Sequence, residues 1–341
     1  MNYQRIASEE AFAPPEILDR YRKLLQDGSC NDPGFCSLWG FYGSNLNPRI
    51  KEVTTRMTDL GEIRLRDMDQ TGIARQILSI TAPGVQVFER ADAVELAKSS
   101  NDFMAEAIRR HPDRFSGLAA IAPQDPAAAA NELERGVKTL GLKGAIVNSH
   151  TRGEYLDDTK FWPIFEAAEA LNVPIYIHPT TPPPAMIGPF LERGLDGAIF
   201  GFAVETGLHL LRIIVSGAFD RFPGLKIVAG HLGEGLPYWL FRIDFMHARM
   251  VAANRYATVK KLQRKPSDYI KENLYVTTSG MAWEPPILYA QSVLGIDRVL
   301  YAMDYPYQFV PEEVAVTDNL PISDDAKRKL YQSNAEKVFA L

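Results

Sequence analysis

The chain has 341 residues, of which 46% are hydrophobic and 23% charged, with a formal net charge of −5. This is the composition of an ordinary soluble globular protein. Its densest basic run, Lys260, Lys261, Arg264 and Lys265, reads as a solvated helix face, so no nucleic-acid partner is expected, and no apolar stretch approaches the ~18 residues of a membrane span.

Residues 1–12 carry Glu9 and Glu10 where a signal peptide would need an apolar core. The two cysteines, Cys30 and Cys36, read as free thiols, and a cytoplasmic location is expected. No linker or low-complexity tract divides the sequence, so a single domain over 1–341 is expected. Short apolar, β-branched runs at 3–7, 74–79, 115–120, 144–147, 175–177, 226–229, 274–277 and 299–302 predict strands. Between them, apolar residues at three- and four-residue spacing predict helices over 92–111, 126–140, 161–171, 207–216 and 287–294. Strands alternating with helices call for right-handed crossovers and a parallel sheet covered on both faces. Eight such units predict an α/β fold closed into a (β/α)8 TIM barrel. Residues 27–66 exceed an ordinary connection and contain Ser37-Leu38-Trp39-Gly40-Phe41-Tyr42. An aromatic insertion of that length after the first strand is expected to wall off an active site.

Barrel enzymes place their chemistry at the C-terminal ends of the strands. The first strand leads into Glu9-Glu10-Ala11-Phe12, the fifth into His178-Pro179, the sixth into Gly230-His231, and the eighth into Met303-Asp304-Tyr305-Pro306. Each donor has an ordinary reading: a solvated loop glutamate, a hydrogen-bonded strand-end histidine, an aspartate capping the next helix. Carboxylate and imidazole converging from several strands instead suit a mononuclear Zn²⁺ or Mn²⁺ site with open coordination positions. Glu234, three residues after His231, is placed to fix that imidazole's tautomer. His150 reads as pocket lining, whereas His209 and His247 lie inside amphipathic helices and read as structural.

These motifs, together with Pro83-Gly84-Val85-Gln86 and Asn148-Ser149-His150-Thr151, resemble the decarboxylase branch of the amidohydrolase superfamily, over essentially the whole chain. Within that branch the resemblance is nearest to the 5-carboxyvanillate decarboxylases, ahead of those acting on γ-resorcylate or 2,3-dihydroxybenzoate. It implies Glu9, His178 and Asp304 as ligands of one divalent ion, Mn²⁺ or Zn²⁺, with no organic cofactor. It also implies that Asp304 delivers a proton, supported by His231 and Glu234. One departure stands out: Ala11 occupies the position where many amidohydrolases carry a second histidine. Nor does a bridging lysine follow the fourth strand, so one metal with spare positions for a chelating substrate is implied.

The expected activity is nonoxidative loss of CO₂ from an ortho-hydroxylated aromatic acid, with metal-dependent hydrolysis of a lactone or amide as the alternative. Such a substrate calls for cationic and aromatic pocket groups. The candidates are Tyr42 and Arg49 from the insertion, Phe202 with Phe200, Arg242 after Trp239, and Tyr307 after Asp304. The expected partners are a small aromatic acid and further copies of the chain, as a homodimer or homotetramer.

Overall fold

A computed structural model describes residues 3–28, 31–44 and 47–341. Cys30 lies outside the described residues. Strands β1 (Arg5–Phe12) and β2 (Ile73–Ile80) are followed by β3 in two pieces, Phe115–Gly117 and Ala119–Ala120. Then come β4 (Ala145–Asn148), β5 (Pro174–His178), β6 (Lys226–Ala229), β7 (Leu274–Thr277) and β8 (Val299–Leu300). Every neighbouring pair is parallel, in sequence order. Ser8 N donates to Tyr301 O at 2.9 Å and Ala11 N to Tyr305 O at 2.6 Å, which brings the chain after β8 back against β1. The result is the (β/α)8 barrel expected from eight strand–helix units. Its strands read as continuous apolar runs because both faces are buried: Ile146, Val147, Ile175, Ile177 and Val228 are each at most 2% exposed.

Two strand ends differ from expectation in a way that matters for the site. β1 runs on through Glu9 and Glu10, with a register shift between Ala7 and Glu10. A carboxylate stays inside a buried strand when its oxygens find donors. Glu10 does so through Met303 N at 2.9 Å, beside the buried guanidinium of Arg64. β5 likewise includes His178.

The insertion is helical, built from Pro33–Tyr42, Pro48–Thr58 and Glu62–Thr71. Pro33 and Pro48 open the first two, where a missing N–H costs nothing, and Asp32 and Asn47 cap them. Trp39 and Phe35 pack on Tyr21 with ring centroids 4.6 and 5.2 Å away, and Trp39 Nε1 donates to Ala82 O at 3.0 Å. Each ring contributes roughly 1.5–3 kcal/mol by its burial. Together they dock the first of these helices onto the loop after β2, so that Leu38 and Tyr42 overhang the barrel mouth.

Candidate active site

Glu9 comes from β1, His178 from the end of β5, His231 from the turn after β6 and Asp304 from the segment after β8. His178 Nε2 stands 3.3 Å from Glu9 Oε1, and His231 Nε2 stands 3.8 Å from the same oxygen. The Nδ1 of His178 lies 2.8 Å from Pro179 O. A carbonyl only accepts, so Nδ1 carries a hydrogen and Nε2 is the nitrogen turned toward the site. His231 is held differently, with its Nδ1 2.7 Å from the buried carboxylate of Glu234.

The backbone of the β6 turn is forced to deliver this pair. His231, Leu232 and Glu234 all have φ between +50° and +56°, and Gly233 has φ +82°. Left-handed residues in succession cost energy that only the surrounding contacts can offset, and such strain concentrates at functional sites. Asp304 shares it, at φ +69°. Gly280, φ +61°, lies flush against the site: a Cβ there would meet Asp304 Oδ2 and His231 Cδ2 at 3.3 Å and Gln308 Oε1 at 3.5 Å.

Burial and neighbouring charge push the three titratable groups apart. Burial would raise Glu9, but the imidazoles of His231 and His178 outweigh it and hold the carboxyl down at about 2. Burial would lower His231, but Glu234 and Glu9 outweigh it and lift it to about 10, so the ring is a cation. Asp304 is raised to about 7 by burial and by the charge of Glu9, against the two imidazoles. A carboxyl near neutrality next to a fixed carboxylate is the arrangement in which one group can carry a proton while the other binds charge.

Among the described residues, no three His, Cys, Asp or Glu side chains already stand at the spacing of a closed metal cage. The donors nevertheless suit one ion. Glu9 Oε1 is buried without a hydrogen-bond partner, and buried oxygens are rarely left so. Two donors each ~2.1 Å from one ion lie roughly 3.0–3.4 Å apart at coordination angles between octahedral and tetrahedral, and Glu9 Oε1 and His178 Nε2 are 3.3 Å apart.

His178, His231 and Asp304 open into a cavity of about 270 Å³, with Glu9 buried behind them. Its lining includes four of the six substrate candidates, Tyr42, Arg49, Phe202 and Tyr307, together with His178, His231 and Asp304. Tyr307 and Tyr42 meet edge to face at 5.3 Å, and the Tyr307 hydroxyl is engaged by Thr81 Oγ1 at 2.5 Å. The guanidinium of Arg49 makes one long hydrogen bond, to Tyr307 O at 3.4 Å, and has no carboxylate partner among the described residues.

Arg242 is the candidate that a single chain does not bring to this cavity. It lies on the helix Leu236–Ala252 and faces a separate outer groove with Leu208, Trp239 and Met246. Three residues from Trp239 is nearly one helical turn, which puts both on the outward face of the helix. Phe200 lines that groove too, whereas Phe202 turns into the cavity. His150 is buried away from the cavity, its Nε2 3.0 Å from Thr181 O. His209 is structural as expected, between Ser149 Oγ and Leu156 N, each at 3.0 Å.

Sequence reading passed over Gln308, Tyr176 and Thr277. Gln308 lines the cavity one turn after Asp304, its amide nitrogen engaged by Glu313 at 3.0 Å. Tyr176 and Thr277 lie beneath the site and donate to Glu9 Oε2. The signal for Tyr176 was available: two residues before His178 on a strand, it shares that residue's face.

A parallel barrel with carboxylate and imidazole donors gathered at its C-terminal rim is the architecture of an amidohydrolase. The chain belongs to that family: the amidohydrolase pattern matches residues 53–341. A crystal structure of 5-carboxyvanillate decarboxylase from Novosphingobium aromaticivorans, complexed with manganese and 4-hydroxy-3-methoxy-5-nitrobenzoic acid, is 51% identical. It superposes with a TM-score of 0.98, covering 100% of this chain and 97% of that one. A 5-carboxyvanillate decarboxylase from Sphingomonas paucimobilis is 38% identical, with a TM-score of 0.93 and full coverage of both chains. A γ-resorcylate decarboxylase from a Polaromonas species is 39% identical over 298 residues, 85% of this chain and 90% of that relative.

Proposed function

We propose that this chain is a metal-dependent carboxy-lyase that converts 5-carboxyvanillate to vanillate and CO₂. The observation that carries the reading is the composition of one cavity. His178 and Asp304, with Glu9 buried behind them, and the guanidinium of Arg49, which has no carboxylate partner among the described residues, share one space. That suits a flat acid with an anionic group at each end, and the relative of 51% identity described above is named for such an acid.

Breaking an aryl–carboxylate bond requires somewhere for the electron pair to go, because a free aryl carbanion is prohibitively unstable. Glu9, His178 and Asp304 would hold one divalent ion, manganese by analogy with the relatives, whose positive charge would favour the phenolate form of the substrate and orient its ortho carboxylate. In this reading Asp304 donates a proton to the ring carbon that bears the carboxylate, while the phenolate pushes electron density into that carbon. The C–C bond then breaks, its electron pair restores the aromatic ring, and CO₂ leaves. Asp304 ends as a carboxylate and takes up a proton before the next turnover. The imidazolium of His231, pinned by Glu234, stabilises that carboxylate. Arg49 pairs with the carboxylate that stays on the ring, and Tyr42, Phe202 and Tyr307 hold the ring itself.

No helix among the described residues is long and apolar enough to cross a membrane, and turnover of a small diffusible acid suits the cytoplasmic location we assign. We also propose a homo-oligomer, dimer or tetramer. Phe241 is 84% exposed and Tyr238 73%, and with Phe245 they recur at three- and four-residue spacing along one helix, an apolar stripe that a second copy would cover.

The test is a panel of acids given to metal-stripped protein with Mn²⁺ or Zn²⁺ restored. 5-Carboxyvanillate should release CO₂ and yield vanillate at a higher kcat/KM than γ-resorcylate or 2,3-dihydroxybenzoate does. A preference for either of those moves the assignment to a simpler hydroxybenzoate. Ring-opened acid without CO₂ from a lactone would favour the hydrolase alternative, which fits the relatives less well.

A further inference from the structure

The carboxylate of Glu9 is held unequally. Its Oε2 accepts hydrogen bonds from the Tyr176 hydroxyl and from Thr277 Oγ1, the latter at 3.0 Å, and those two hydroxyls are 3.1 Å apart. Its Oε1 has no hydrogen-bond partner and faces the two imidazoles at 3.3 and 3.8 Å. Gly230 forms the floor: a Cβ there would stand 2.5 Å from Oε2 and 3.0 Å from Oε1, so the carboxylate rests on bare backbone. Tyr176 and Thr277 are both 0% exposed, deep inside the barrel. Burying two hydroxyls there is costly unless they are bonded, and valine or phenylalanine would fill the same space without that cost. The partner that accounts for both is Oε2 of Glu9.

We propose that Tyr176 and Thr277, above the Gly230 floor, are positioning residues that tether one oxygen of Glu9 and leave the other as a single-point metal donor. The proposal rests on the reading of Glu9 as a ligand. An untethered carboxylate can swing or grip an ion through both oxygens, and a two-oxygen grip fills a coordination position that a chelating substrate needs. The tether therefore raises metal affinity by preorganisation and keeps open the positions where phenolate and carboxylate bind.

Metal-stripped protein titrated with Mn²⁺, with free Mn²⁺ read by electron paramagnetic resonance, tests this without reference to turnover. Tyr176→Phe and Thr277→Val each remove a hydroxyl with little change of volume, and each should weaken Mn²⁺ binding about 10- to 100-fold, the usual effect of losing such a partner. Thr277→Ser restores the hydroxyl and should return most of that affinity. Wild-type affinity in both Tyr176→Phe and Thr277→Val overturns the proposal, and so does a Thr277→Ser variant as weak as Thr277→Val, which marks a packing effect. Glu9→Gln separates the two layers. Loss of Mn²⁺ in Glu9→Gln with normal binding in the hydroxyl variants rejects the tether alone. Normal binding in Glu9→Gln rejects Glu9 as a ligand, and the tether with it.

Discussion

Replacing Arg49 by methionine keeps most of the apolar stem and removes the one cavity guanidinium that has no carboxylate partner among the described residues. A hydrogen bond to a charged group contributes about 1.5–3 kcal/mol. Arg49 is exposed, so solvent screening favours the lower end of that range, about 1.5–2 kcal/mol. At ~1.4 kcal/mol per factor of ten, kcat/KM for 5-carboxyvanillate should fall roughly 10- to 30-fold. The carboxylate that stays on the ring keeps its charge through the reaction, so its contact binds ground and transition states alike. The loss should therefore appear mainly in KM. 3-Methoxysalicylate keeps the chelating hydroxyl and the departing carboxylate but lacks the retained one, and Arg49→Met should handle it nearly as the wild type does. Steady-state kinetics on the two acids, with CO₂ release coupled to a spectrophotometric readout, gives both ratios. An equal loss on both acids, or a loss confined to kcat, would show that Arg49 does not pair with the retained carboxylate.

Asp304→Asn keeps an oxygen donor but no transferable proton; it should still bind a nitro analogue while turnover falls by more than the ~10²–10⁴-fold typical of general acid catalysis, and near-normal turnover would give the proton to His231. His178→Ala should lose Mn²⁺ on dialysis while its far-ultraviolet circular dichroism stays native, and full metal content by elemental analysis would remove His178 from the ligand set. Glu205, 0% exposed, is raised from 4.5 to about 8 by burial, so the folded state keeps a proton that the unfolded chain releases. Its contribution is intact below pH 4.5 and is lost as pH rises to 8, by about 3–5 kcal/mol. The neutral Glu205→Gln should thus gain stability relative to wild type between pH 5 and 8 in urea unfolding, and a pH-independent difference would contradict this. Phe241→Asp should shift the protein to a smaller species by size-exclusion chromatography with light scattering, and an unchanged mass would place the interface elsewhere.

Periodicity and strand-end chemistry were enough to reach the barrel and to pick out His178 and Asp304. Both properties are local: an apolar run five residues long ends where a polar donor begins, and a barrel's geometry puts every such end on one rim. Alternation along β5 could even have reached Tyr176, since it depends only on strand period. The direction of a glutamate at a register shift is not local. Glu9 turns toward His178 while Glu10 pairs with Met303 N beneath the site, because β1 closes against the segment after β8, some 290 residues away in sequence. The same holds for the arginines. Arg49 reaches the cavity because Trp39 anchors the preceding helix to Ala82 O, whereas Arg242 rides the outward face of a 17-residue helix. Sequence chemistry names which side chains can bind an anion; which of them reach the cavity depends on how helices dock across the barrel, and that is settled by contacts between residues far apart in the chain.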